Sequence, residues 1–323
     1  MIKTEEIMKK YRSRINRFLA VAALSFSVIL TGCAAKKEAV GDKISVMTSF
    51  YPVYDFTLKV GGDKVNVKNM VPAGTEPHEW EPGTRDIASL EESNVFIYSG
   101  AGMEHWTEDV LKSLSNKSLI VVEASSGITL KEGHEEEGDH KEEENEHDHG
   151  EFDPHVWLDP KNAKKEMENI KDGLVKADPE NKDYYEANYK TYAEKFDQLD
   201  QSFQETLSPL SNKSIVVSHE AYGYLCSAYG LTQVGIEGLT PDSEPDPARM
   251  AEVIDYVRDN QVKTIFFEEL VSPKVAEAIA KETGAKTEVL SPVEGLSDKE
   301  LKAGEDYFSV MEKNLAALKE ALE

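Results

Sequence analysis

Cysteine is almost absent. The 323-residue chain holds two, Cys33 and Cys226, and a disulfide framework is excluded if Cys33 carries a modification, so stability has to come from an apolar core. Basic side chains are also few: 36 Lys and Arg stand against 61 Asp and Glu, for a formal net charge of −25. So acidic a surface repels phosphate backbones, and nucleic acid is excluded as a partner. No apolar run is long. The most extended, Phe18 to Leu30, has 13 residues, too short for a comfortable membrane span. The metalloprotease signature H-E-x-x-H does not occur. Histidine itself is scarce, yet five of the eight fall between Gly133 and Pro160.

What is present begins with the N-terminus. Lys9, Lys10, Arg12, Arg14 and Arg17 form a basic region ahead of the apolar run, which closes on "LTGC" at Leu30–Cys33. Basic region, short apolar region and small residues before a cysteine, in that order, resemble a bacterial lipoprotein signal. That resemblance implies removal of residues 1–32 and lipidation of Cys33, with residues 33–42 as a tether on the extracytoplasmic face of the cell membrane. Cys226, in "AYGYLCSAYG", reads as a small buried hydrophobe.

Length and an apolar content of 40% suffice for two domains with sizeable cores. Strand-like runs at 43–50, 63–71, 95–100 and 118–124 alternate with helical patterns, one of them starting at Thr84 as its cap. A second alternation places strands at 214–218, 231–236, 263–267 and 286–291, with a helix over 219–230 between the first two. Such alternation predicts parallel sheets flanked by helices. Between the halves, Tyr185, Tyr189, Tyr192, Phe196, Leu199, Phe203 and Leu207 recur at steps of three and four, which predicts one helix over 181–207, roughly 40 Å long, as a rigid connection. The expected fold is therefore α/β, with an N-terminal lobe over 43–180, a linking helix over 181–210 and a C-terminal lobe over 211–323. Residues 131–151 are low-complexity and are expected to be disordered.

Outside that tract four histidines remain. His78 follows a predicted strand in "VPAGTEPHEWEPG", His155 lies in "DPHVWLDP", and His219 stands at a strand end in "SIVVSHEAYG". Glu294, in "TEVLSPVEGL", follows another strand. Ligands of open α/β sheets bind outside the carboxyl ends of strands. Three imidazoles and a carboxylate suit a cation such as zinc, and four protein ligands would leave no open position for a catalytic water. Position alone leaves each of the four open between a ligand and a surface or helix-cap residue. His105 reads as a helix-start residue, Asp159 as a helix cap, Glu76, Glu79 and Glu81 as sources of negative potential. Trp80 and Trp157 read as packing that excludes water, and Glu268 or Glu269 as a group that orients an imidazole.

"PAGTEPHEWEP", "DPHVWLDP", "VSHEAYGYL" and "LSPVEGL", in that order, resemble the motifs of the cluster A-I metal-binding proteins, solute-binding subunits of bacterial zinc and manganese ABC importers. The resemblance covers roughly 43–323. It implies two α/β lobes bridged by a long helix, with a metal site in the interlobe cleft made by His78, His155, His219 and Glu294. It implies a monomer without catalytic turnover that captures Zn²⁺ and delivers it to an ABC permease for high-affinity uptake. The manganese branch carries a carboxylate where His219 stands, and a third imidazole tilts the choice toward zinc. The zinc branch often carries a His- and acid-rich loop before the second ligand. His134, His140, His147 and His149 fall there and are expected to be weak secondary zinc ligands; a solvated linker is the plainer reading of the same tract. A manganese-binding paralogue and, in another class, a zinc-dependent hydrolase are the alternatives. Nothing in the sequence is specific for an adhesin role.

Overall fold

The computed structural model describes residues 43–133, 152–241 and 245–323. The signal region, Cys33, the tether and the four tract histidines His134, His140, His147 and His149 lie outside the described residues. Described residues 43–323 form one compact unit.

The first lobe contains β1 (Ile44–Thr48), β2 (Val65–Asn69), β3 (Val95–Tyr98) and β4 (Ile120–Glu123). These form a four-stranded parallel sheet in the order β2-β1-β3-β4. The second lobe contains β5 (Ser214–Val217), β6 (Thr232–Gly235), β7 (Thr264–Phe267) and β8 (Lys286–Val289), again parallel, in the order β6-β5-β7-β8. The two sheets thus share one topology, although no repeat is visible in the residues. Register is fixed by β-branched, buried strands: Val46 pairs with Val67 and Val95, and Val216 with Val234 and Ile265.

Among the described residues the helices are α1 (Tyr51–Gly61), α2 (Thr84–Glu91), α3 (Thr107–Ser113), α4 (Pro160–Ala177), α5 (Lys182–Leu207), α6 (Gly223–Tyr229), α7 (Pro247–Asp259), α8 (Lys274–Thr283), α9 (Asp298–Ala303) and α10 (Tyr307–Leu322). The 26-residue α5 is continuous. Its stripe of Tyr185, Phe196, Leu199, Phe203 and Leu207 is buried against α1, α4 and α10, each side chain contributing about 1.5–3 kcal/mol of burial. The C-terminal α10 reaches back to the first lobe. Tyr307 Oη donates to the carbonyl of Trp157 at 2.6 Å, and the rings of Phe56 and Tyr307, and of Phe196 and Phe308, meet at 5.0 and 4.7 Å. One apolar core therefore runs from β1 and α1 through α5 to β5 and α10.

Three details differ from the sequence reading. Thr84 is the first residue of α2; the cap is Gly83, whose N–H donates to the Asp86 carboxylate at 3.1 Å, the half of a capping box that needs only an acid at the third position. The helix expected from His219 begins at Gly223, because the carbonyls that would open it are taken elsewhere: His219 accepts the Ala221 N–H at 2.9 Å and Glu220 accepts from Gln233 Nε2 at 3.3 Å. Disorder is expected from residue 131, yet residues 131–133 are ordered, while 134–151 lie outside the described residues. Glu132 and Phe152 form an antiparallel bridge, and the Asp153 N–H donates to the Lys131 carbonyl at 2.9 Å.

Candidate metal centre

The parallel strands deliver three of the four candidate side chains to one place. His78 follows β2, His219 follows β5 by two residues, and Glu294 follows β8. His155 comes from the turn that leads into α4, opening the single helical turn Val156–Leu158. Each lobe contributes two. All four are buried: His78 is 8% exposed, Glu294 2%, His219 1% and His155 0%. One ligand atom from each lies within 4.8 Å of all the others.

The contacts describe a small polyhedron. Glu294 Oε1 lies 3.0 Å from His155 Nε2, 3.3 Å from His78 Nε2 and 3.4 Å from His219 Nε2. His155 Nε2 lies 3.3 Å from both other Nε2 atoms. A tetrahedron whose centre is about 2.0–2.1 Å from each nitrogen has edges of about 3.3–3.4 Å. Five of the six edges, at 3.0–3.4 Å, therefore suit a tetrahedral cation of zinc's bond length made by three imidazole nitrogens and one carboxylate oxygen, and the sixth pair, His78 and His219, lies within 4.8 Å.

Two of the imidazoles are held from behind. His155 Nδ1 is 2.9 Å from Asp153 Oδ1, which also accepts the His155 backbone N–H at 2.9 Å. This is the local turn expected of Asp two residues ahead of its partner, with Pro154 keeping Asp153 extended. His219 Nδ1 is 2.6 Å from Glu268 Oε1, a buried carboxylate at the end of β7. Donation of Nδ1–H to a carboxylate leaves the Nε2 lone pair facing the centre. Gly223 lets this arrangement pack tightly, since a Cβ there would collide with Asp153 Oδ2. His78 is held through its backbone N–H, which donates to Glu76 Oε1 at 3.0 Å.

Electrostatics follow from burial and proximity. Burial opposes an imidazolium at His155, yet hydrogen bonds to Asp153 and Glu294 outweigh it and raise its pKa. Burial likewise opposes charge on His219, while Glu268 and Glu294 push its pKa well above the usual imidazole range. Burial by itself would raise Glu294, but His78, His219 and His155 hold its carboxyl well below the usual carboxylate range. The centre is arranged to keep a carboxylate ionised and to attract positive charge, whether proton or cation.

The other sequence candidates sort themselves. His105 Nε2 lies 3.6 Å from Glu81 Oε1 on the exposed surface, and His105 is not one of the clustered residues. Glu79, Glu81 and Glu269 are exposed. Asp159 caps α4, accepting from the Lys161 N–H. Trp157 is fully buried with its ring 5.4 Å from that of His155, whereas Trp80 is half-buried against Trp106. Asp153 was not singled out in the sequence; its one signal there is its place two residues before His155.

Residues 46–321 match the family described as ZnuA, zinc-uptake complex component A, periplasmic. The chain is 45% identical over 295 residues to the zinc-binding lipoprotein AdcA of Streptococcus pneumoniae (strain ATCC BAA-255 / R6), covering 91% of this chain and 58% of that protein. It is 44% identical over 305 residues to the high-affinity zinc uptake system protein ZnuA of Bacillus subtilis (strain 168), covering 94% of each. The Zn(II)-bound ZnuA-like domain of Streptococcus pneumoniae AdcA superposes with a TM-score of 0.74 at 42% identity, covering 87% of this chain and 99% of that one. The chain thus spans nearly the whole of the Bacillus relative and about three-fifths of the streptococcal one.

Proposed function

The chain belongs to the zinc-uptake complex component A family, and on that premise we propose that it captures Zn²⁺ outside the cytoplasm and passes it to an ABC-type membrane permease. The metal ligands are His78, His155, His219 and Glu294. The observation that carries this reading is the set of five 3.0–3.4 Å separations among three Nε2 atoms and one carboxylate oxygen, all on buried residues. Three neutral imidazoles favour zinc over manganese, which prefers oxygen donors. Four protein ligands saturate a tetrahedral ion, so the protein holds metal and does not activate water on it.

The chain acts as a monomer with a lobe on each side of the cleft, 43–180 and 211–323, and residues 181–210 between them. A lipid on Cys33 tethers it to the membrane. His134, His140, His147 and His149 form weaker zinc-collecting sites beside the structured one. Calorimetric titration of metal-stripped protein tests the core of the reading. Wild type should bind zinc tightly, and His155→Ala, which removes one ligand from a fold that rests on its apolar core, should lose affinity by orders of magnitude while remaining folded. Full-strength binding in that variant contradicts the assignment.

A further inference from the structure

Carboxylates of Asp153, Glu268 and Glu76 hold His155, His219 and His78, whereas Glu294 follows a stretch of chain with an unusual backbone. Val293 is buried, β-branched and at φ 59°, in the left-handed region that such residues rarely adopt. Backbone held there persists only where the surroundings fix it, and it concentrates at functional sites.

The surroundings of residues 290–293 do fix it. Asn314, on the buried face of α10 and 2% exposed, grips Ser291 twice. Its Oδ1 accepts the Ser291 N–H at 2.9 Å and its Nδ2 donates to the Ser291 carbonyl at 2.7 Å. Ser291 Oγ accepts the Val293 N–H at 3.2 Å. Trp157 Nε1 donates to the Pro292 carbonyl at 2.8 Å, and Tyr222 Oη donates to the Leu290 carbonyl at 2.5 Å. Three elements from both halves of the molecule therefore hold three consecutive residues, 290–292, and Ser291 in turn holds Val293. An asparagine in the middle of a helix is poorly suited to helix propensity, and here both its amide groups are spent on this one segment.

We propose that Asn314 is a positioning residue for Glu294. By clamping Ser291 it holds Val293 in the left-handed conformation that turns the Glu294 carboxylate onto the three imidazoles. The inference rests on the reading of Glu294 as a metal ligand. Partners of this kind, one step removed from the metal, typically change affinity 10- to 100-fold.

A double-mutant cycle tests it, because coupling between two residues appears only in the difference between backgrounds. Zinc affinity is measured by competition with a chromophoric chelator for wild type, Asn314→Ala, Glu294→Ala and the double variant, with thermal unfolding in the metal-free state as a check on the fold. Asn314→Ala should weaken zinc binding roughly 10-fold or more in the wild-type background and leave it unchanged in the Glu294→Ala background. Tyr222→Phe, which removes a single hydroxyl from the same segment, should show a smaller loss with the same dependence on Glu294, and serves where Asn314→Ala does not fold. Equal losses with and without Glu294, or no loss in either, overturn the positioning role while leaving the site intact. Unchanged zinc affinity in Glu294→Ala alone instead overturns the assignment of Glu294 as a ligand, and the clamp with it.

Discussion

Replacing Glu268 by alanine should weaken zinc binding 10- to 100-fold without unfolding the protein. Glu268 Oε1 sits 2.6 Å from His219 Nδ1, and the two side chains are 4% and 0% exposed. Removing the carboxylate leaves a buried N–H with no acceptor and no access to water, a loss of about 1–3 kcal/mol. The usual cost of deleting a partner that orients a metal-bound imidazole is about 10- to 100-fold in affinity, equivalent to about 1.4–2.8 kcal/mol, so the two estimates agree. The cause is local: without Glu268 nothing selects the tautomer whose Nε2 lone pair faces the centre. Glu268→Gln keeps an oxygen acceptor and loses only the charge, and its affinity should fall between wild type and alanine. The assay is chelator competition on metal-free protein, repeated in a His219→Ala background, where the alanine effect should vanish. A Glu268→Ala variant that folds and binds zinc within about threefold of wild type refutes the reasoning.

Three further expectations follow from other parts of the molecule. Glu166 is fully buried in the first lobe with Oε2 unpartnered. Burial, reinforced by nearby Glu104 and opposed by the Ser99 hydroxyl, pushes its pKa up to about 8. Because the folded state then holds a proton that the unfolded state releases near the ordinary 4.5, stability of metal-free protein should fall as pH rises from about 5 to 8, by up to about 1.4 kcal/mol per unit. Glu166→Gln should remove Glu166's share of that slope in urea unfolding measured across the range, and a slope unchanged from wild type contradicts the assignment. His219→Glu exchanges an imidazole for an oxygen and should narrow the preference for Zn²⁺ over Mn²⁺ in competition titrations; an unchanged ratio contradicts the role given to the third imidazole. Deleting residues 134–150 should remove only weak zinc equivalents whose affinity drops as pH falls through about 6.5, and loss of the tight equivalent in calorimetry would mean that the tract supplies a primary ligand.

Much of this architecture was legible because its signals are local. Strands such as Val95–Tyr98 and Thr264–Phe267 are short runs of buried β-branched and aromatic residues, and α5 shows its buried face at steps of three and four. The candidate site was legible where a histidine or an acid sits just past such a strand, as at His78, His219 and Glu294. Short helices carried too few turns to show a period: α9 has six residues and α3 seven. The start of α6 lies beyond His219 because the Glu220 carbonyl is claimed by Gln233 Nε2, a partner 13 residues away that no local pattern reveals. Asn314 was wholly invisible, since its role depends on Ser291, 23 residues away in sequence.

In the proposed site three imidazoles and one carboxylate hold a single Zn²⁺ between the lobes. Zinc-edge X-ray absorption on protein lacking residues 134–150 and loaded with one equivalent of zinc tests it most directly. Four nitrogen or oxygen neighbours at about 2.0–2.1 Å, with the outer scattering of three imidazoles, are the predicted result. A six-coordinate ion, a sulfur neighbour, or an unchanged imidazole signal in His155→Ala would contradict it.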